Sequence, residues 1–235
     1  MTGMLASVVN LAEARIVAAA GVDIIDLKDP AAGALGALPV GEIKAIVDSL
    51  SGDQRISATL GDLPMQAGVL VPAVEAMAAT GVDFVKIGFF PGGDWSGVVG
   101  DLRPAAADGI RLVAVLFGDS SPDLGWVTRL AEAGFEGVML DTADKRKGSL
   151  RTFCNPGFLR DFVATTRRHG LLTGLAGSLR AEDVPSLLAL DPDYLGFRGG
   201  LCRGGRSGAL DPDAVIHIRE LTRSCPKTAR QPPAT

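Results

Sequence analysis

At 235 residues, with 47% hydrophobic against 21% charged residues, the chain is long enough for one large domain and too apolar to remain disordered. A formal net charge of -4 supplies no general cationic field, so neither a nucleic-acid nor a membrane partner is expected, and any phosphate must be held locally. Cys154, Cys202 and Cys225 form no CxxC pair and leave one thiol unmatched in any disulfide scheme, which fits a reducing compartment.

The amino-terminal MTGMLASVVN lacks the basic start, apolar core and cleavage pattern of a secretory signal. No apolar run reaches the roughly eighteen residues of a membrane span, and a cytoplasmic protein is expected. Short apolar runs recur in chain order at Met4 to Val9, Val22 to Lys28, Arg55 to Leu60, Asp83 to Gly88, Arg111 to Phe117, Gly137 to Asp141, Leu171 to Ala176 and Tyr194 to Arg198. Each leads through a turn rich in Gly, Pro or Asp into a stretch of helical periodicity. LAEARIVAAAG, VPAVEAMAATG and LGWVTRLAEAG each close on a glycine suited to the left-handed end of a helix. Gly-Val-Asp at Gly21, and again at Gly81, then opens the next strand.

Eight such units, spaced by roughly thirty residues each, predict an α/β protein with parallel strands and crossover helices. Its natural form is a single closed (βα)8 barrel of the TIM type over residues 1–223. A doubly wound open sheet would need two polar or Pro-containing edge strands, and none is evident. Two regions depart from the alternation. Pro91 to Gly100, PGGDWSGVVG, reads as a Gly-rich loop, and residues 224–235, with Pro, Lys and Arg but no apolar period, read as a disordered tail.

The informative residues are charges inside strands that should be apolar. In Asp23 to Pro30, Asp26 and Lys28 share one face while Ile25 and Leu27 share the other. Because the apolar face must meet the helices, Asp26 and Lys28 point into the barrel near its carboxyl end, where this fold carries its active site. The same parity sends Lys86 inward from Phe84-Val85-Lys86-Ile87-Gly88 and lets Ser57 and Thr59 contribute hydroxyls. Asp141 ends the sixth strand, and Lys145 follows in the charged loop Thr142 to Lys147. The chain has 6 lysines against 17 arginines, and Lys28, Lys86 and Lys145 all fall at the predicted mouth. Only lysine can lose its proton to act as a nucleophile. Crowded, partly desolvated ammonium groups generate the free amine that a Schiff base with a carbonyl requires.

A phosphate cup is predicted from two further loops. Gly177 and Ser178 end the seventh strand ahead of an expected helix, and Arg198, Gly199 and Gly200 end the eighth. In (βα)8 enzymes these positions offer backbone N–H groups to an anion, and Arg198 could add a bidentate contact. Gly204 to Gly208 reads as a flexible solvated loop, His169 and His217 as surface residues on helices, and the cysteines as packing residues. Neither a Walker nor a Rossmann glycine pattern follows any strand, and no metal site is expected.

The segments DIIDLKDPAAGALGA, ISATLGDLP, FVKIGFF, MLDTADKRKGSL, LLTGLAGSLRAEDVP and YLGFRGGLC resemble, in order and spacing, the (5-formylfuran-3-yl)methyl phosphate synthase family. The resemblance implies a (βα)8 lyase that condenses two molecules of glyceraldehyde 3-phosphate, with loss of phosphate and water, toward methanofuran-type cofactors. It implies Lys28 as the Schiff-base lysine and Lys86 as the proton acceptor, with Asp26, Asp141 and Lys145 at further active-site positions. Neither a metal nor an organic cofactor is implied. Asp29 stands where the family also has an amide. Two phosphorylated substrates call for two anion sites, and Lys145, Arg146 and Lys147 are candidates for the second. The expected partner is a small phosphorylated aldehyde, and pairing through outer helices would give a homo-oligomer. A class I aldolase of another phosphosugar and a non-catalytic phosphometabolite-binding barrel are the alternative readings.

Overall fold

The computed structural model describes residues 1–50, 52 and 54–223; the segment read as a disordered tail lies outside the described residues. Its strands are β1 (Gly3–Val8), β2 (Ile24–Leu27), β3 (Arg55–Thr59), β4 (Phe84–Gly88), β5 (Leu112–Phe117), β6 (Gly137–Asp141), β7 (Leu172–Leu175) and β8 (Tyr194–Phe197). They pair in sequence order, all parallel, and β8 returns to β1 to close the barrel. Closure pairs both would-be edges, which is how the open-sheet alternative is excluded.

Strand β5 shows why the sequence runs are apolar throughout. Leu112, Ala114 and Leu116 belong to the outer core under the helices, while Val113, Val115 and Phe117 belong to an inner cluster with Leu5, Ile24, Phe84 and Met139. A strand buried on both faces has no polar side to show. Inward polar positions must therefore have partners, and they are concentrated at the carboxyl ends of the strands.

The helices are α1 (Leu11–Ala19), α2 (Val40–Ser49), α3 (Ala67–Ala78), α4 (Trp95–Ala107), α5 (Gly125–Glu132), α6 (Leu150–Phe153), α7 (Pro156–Arg168), α8 (Val184–Leu188) and α9 (Pro212–Arg223). The repeated Gly-Val-Asp has a physical reason. Gly21 and Gly81 adopt positive φ of 67° and 89° after α1 and α3, a conformation that costs glycine little. The carboxylates that follow then accept an amide from the start of a neighbouring strand: Asp23 from Met4 N–H at 2.6 Å and Asp83 from Ile56 N–H at 2.7 Å.

One expected loop is partly helical. Helix α4 begins inside the Pro91 to Gly100 segment, because Asp94 Oδ1 accepts the Gly97 N–H at 2.9 Å and Val98, Val99 and Leu102 bury one face. Only the residues ahead of Asp94, with Gly92 and Gly93 at positive φ, remain a turn. His169 closes α7 and His217 lies on α9; both are exposed. Among the described residues no helix is long and apolar enough to cross a membrane.

Candidate active site

At the carboxyl ends of the strands lies a cavity of about 890 Å³, lined by Asp26, Lys28, Lys86, Asp141 and Lys145 together with the loops after β6, β7 and β8. Register explains the convergence. Ser7, Asp26 and Ser57 are aligned across β1, β2 and β3, and Thr59 is aligned with Lys86 on β4. Asp26 is fully buried and accepts from Ser7 Oγ at 2.9 Å, Ser57 Oγ at 2.6 Å and Lys86 Nζ at 2.9 Å. Burial alone would raise its carboxyl pKa, but the fields of Lys86 and Lys28 and the hydrogen bonds outweigh this and hold it below the usual carboxylate range. Thr59 instead donates to Gly36 O at 3.0 Å and so secures the loop after β2.

Asp141 and Lys145 form a second buried ion pair, and Asp141 also accepts the Thr142 N–H at 2.7 Å. Here too burial opposes ionisation, and Lys145 and Lys28 overcome it and keep the carboxyl pKa low. Lys28 differs from both other lysines. Its side chain is buried, yet among the described residues its amine makes neither a hydrogen bond nor an ion pair. Desolvation lowers its pKa to about 8, against the opposing fields of Asp141 and Asp26, with Lys86 and Lys145 adding to the fall. The site thus holds one unengaged amine between two lysine–aspartate pairs.

The loops after β7 and β8 also line the cavity through Gly177, Ser178, Gly199 and Gly200. No long helix begins directly behind either strand, and α9 starts only at Pro212. Three-residue 3-10 turns occupy Ala181–Asp183 and Gly199–Leu201, and α8 has five residues, so the expected cup has no helix N-terminus of useful length. What remains is a concave backbone turn. Gly177 and Ser178 have positive φ of 110° and 52°, and the N–H groups of Gly177, Ser178 and Leu179 have no acceptor among the described residues.

Arg198 is placed differently from its expected role. Its guanidinium is buried against Glu13 of α1, with Nη1–Oε2 at 2.5 Å and Nη2–Oε1 at 3.3 Å. Its remaining donors reach Ser7 O at 3.2 Å, Arg206 O at 2.8 Å and Gly208 O at 3.2 Å. An arginine has five N–H groups, and all five are spent on protein, which leaves none for a phosphate. The 204–208 segment is consequently tied down rather than freely solvated. Ser7 and Glu13, like the cavity-lining Arg206, are not singled out by the sequence. The Leu5, Ser7 parity of β1 is the one signal for the first, whereas nothing local signals the second.

Neighbouring loops also brace each other. Asp62, after β3, accepts the N–H groups of Ala34 and Leu35 at 2.9 and 2.8 Å. Asp119, after β5, accepts those of Ala143 and Asp144 beside the Lys145 loop. Of the thiols, Cys202 lines the cavity and Cys154 is buried, its pKa raised to about 11 by desolvation and then by Asp119.

Residues 4–219 match the family model described as 4-HFC-P synthase. The chain is 32% identical over 234 residues to the (5-formylfuran-3-yl)methyl phosphate synthase of Methanocaldococcus jannaschii, covering 94% of this chain and 99% of that one. It is 44% identical over 226 residues, 95% of this chain and 93% of the other, to a Methylorubrum extorquens protein that bears the same name provisionally. Among solved structures, 3-hexulose-6-phosphate synthase from Salmonella typhimurium shares the barrel with a TM-score of 0.69 at 17% identity, covering 94% and 98% of the two chains. With a match that begins in β1 and runs into α9, the chain belongs to the 4-HFC-P synthase, or (5-formylfuran-3-yl)methyl phosphate synthase, family.

Proposed function

We propose that this protein condenses two molecules of glyceraldehyde 3-phosphate into (5-formylfuran-3-yl)methyl phosphate, releasing one phosphate and two waters, as a carbon–oxygen lyase that works through a Schiff base on Lys28. The product would supply the furan of a methanofuran-type cofactor. The observation that carries this reading is the buried, unengaged Lys28 amine with a pKa near 8, flanked by the Lys86–Asp26 and Lys145–Asp141 pairs.

The free amine adds to the aldehyde, and loss of water gives an iminium that acidifies the adjacent carbon. The Lys86–Asp26 pair is the proton-handling unit for that carbon, and Asp26 is oriented by Ser7 and Ser57. The resulting enamine expels phosphate from the next carbon. The Lys145–Asp141 pair, on the opposite strand ends, serves the later proton transfers of carbon–carbon bond formation, ring closure and dehydration. The unpaired amides at Gly177 and Ser178 support one phosphate.

Incubation with glyceraldehyde 3-phosphate is expected to raise near-ultraviolet absorbance and free phosphate together. An aldol product without furan or phosphate release would overturn the synthase reading in favour of an aldolase. The pH dependence has a defined sign. With a pKa of about 8, roughly a tenth of Lys28 is free amine at pH 7, against about 0.04% for an ordinary lysine. Borohydride trapping of the substrate on Lys28 should therefore increase from pH 6.5, pass its midpoint near 8 and level off. A trapping rate still climbing beyond pH 10 would show an unperturbed lysine.

A further inference from the structure

Most arginines around the mouth have a carboxylate partner: Arg146 with Asp144, Arg151 of α6 with Asp183, Arg198 with Glu13 and Arg203 with Asp211. Arg206 has none among the described residues, although it is half-buried and lines the cavity. One Nη2–H donates to Gly33 O at 2.9 Å, in the loop that follows Lys28, while Nε and Nη1 have no protein acceptor among the described residues. The carboxylates whose fields reach it are Asp141, Asp62 and Asp29, and each is engaged elsewhere: with Lys145, with the Ala34 and Leu35 amides, and with the Ala31 amide. A half-buried guanidinium without a counterion is costly, and its open fork matches a phosphate bidentately.

The arginine is also held in place. Arg198 grips the backbone oxygens of Arg206 and Gly208 while anchored to Glu13 and Ser7. Arg203 N–H donates to Ala209 O at 2.9 Å, and Gly208 N–H donates to Gly205 O at 2.9 Å. A Cβ at Gly208 would lie 1.8 Å from Arg203 O, so the tight loop requires glycine there. Arg180, beside the β7 loop, also lines the cavity and has no carboxylate partner among the described residues, but it is exposed where Arg206 is half-buried. The other competing cations are occupied. Lys145 is paired with Asp141, and Arg146 and Lys147 turn to Asp144 with side chains 91% and 71% exposed.

We propose that Arg206 anchors the phosphate of a triose phosphate substrate, as the second anion subsite, and that Arg198 is the positioning residue that presents it. The assignment deepens the synthase reading and rests on it for the identity of the substrate. Titration of wild type and Arg206→Gln with inorganic phosphate, beside steady-state kinetics on glyceraldehyde 3-phosphate, tests it. Arg206→Gln should weaken phosphate binding at least tenfold and raise KM by a similar factor, with kcat within about threefold. Trapping of unphosphorylated glyceraldehyde on Lys28 should be unchanged, and Arg206→Lys should recover part of the loss. Arg198→Lys should reproduce the KM defect at nearly constant kcat. Arg203→Gln, in the same loop but outside the cavity, controls for loop distortion and should bind phosphate as wild type does.

Unchanged phosphate affinity and KM in Arg206→Gln, with furan still formed, would overturn the anchor and leave the synthase reading standing. A phosphate defect of equal size in Arg203→Gln would also overturn it. If wild type forms no furan while Arg206→Gln still loses phosphate affinity, the anchor stands and the synthase reading fails.

Discussion

Replacing Lys28 with methionine is expected to abolish turnover and borohydride trapping while making the fold more stable. The lysine pKa falls from 10.5 to about 8, a difference worth about 3 kcal/mol of unfavourable burial, with the fields of Asp141 and Asp26 already included. Because the folded state resists protonation, the cost is complete below pH 8. It declines as pH rises toward 10.5, where the unfolded lysine also becomes neutral. For a chain of this length the gain amounts to roughly 6 to 12 °C in Tm below pH 8, shrinking at higher pH. Thermal unfolding of the variant across that range checks the sign; a lower Tm would show that Lys28 supports the fold instead of straining it. Stability surrendered at one amine is the expected signature of a reactive group.

Arg198→Ala should act in the opposite direction. It leaves the Glu13 carboxylate, only 11% exposed, without its counterion and frees the 204–208 segment from two backbone contacts. Removing one member of a buried pair costs about 3 to 5 kcal/mol, or roughly 6 to 20 °C in Tm here. The double variant Glu13→Leu/Arg198→Met should regain most of that stability without regaining substrate affinity, because the loop contacts are still missing. A double-mutant cycle read by thermal unfolding and by KM separates the two effects. An Arg198→Ala protein with unchanged Tm would show that the pair contributes nothing to the barrel.

Strand identity was legible because charge interrupts otherwise apolar runs, and parity alone sends Asp26, Lys28 and Lys86 to one face. The pairing among them was not legible. Asp26 and Lys28 stand two residues apart on one chain segment, roughly 6.6 Å along a strand, whereas Lys86 reaches across from β4 and takes the carboxylate. That choice is what leaves Lys28 unengaged. Arg198 was misleading for a related reason. Its position beside the Gly-Gly of the β8 loop suggests an anion contact, but its partner Glu13 is 185 residues away in the chain. The start of α4 was hidden by glycines around Trp95, and Asp94 as its cap is visible only once the helix is known.

The bracing of the rim by Asp62 and Asp119 bears on how such a barrel can be altered. Each carboxylate belongs to one βα unit but shapes the next unit in one case and the preceding unit in the other. The loops after β2 and β3 therefore form one exchangeable module, and those after β5 and β6 form another. Transplanting either loop of a module by itself would strand backbone amides. A graft intended to change substrate would have to move both together, or retain the carboxylate and its reach.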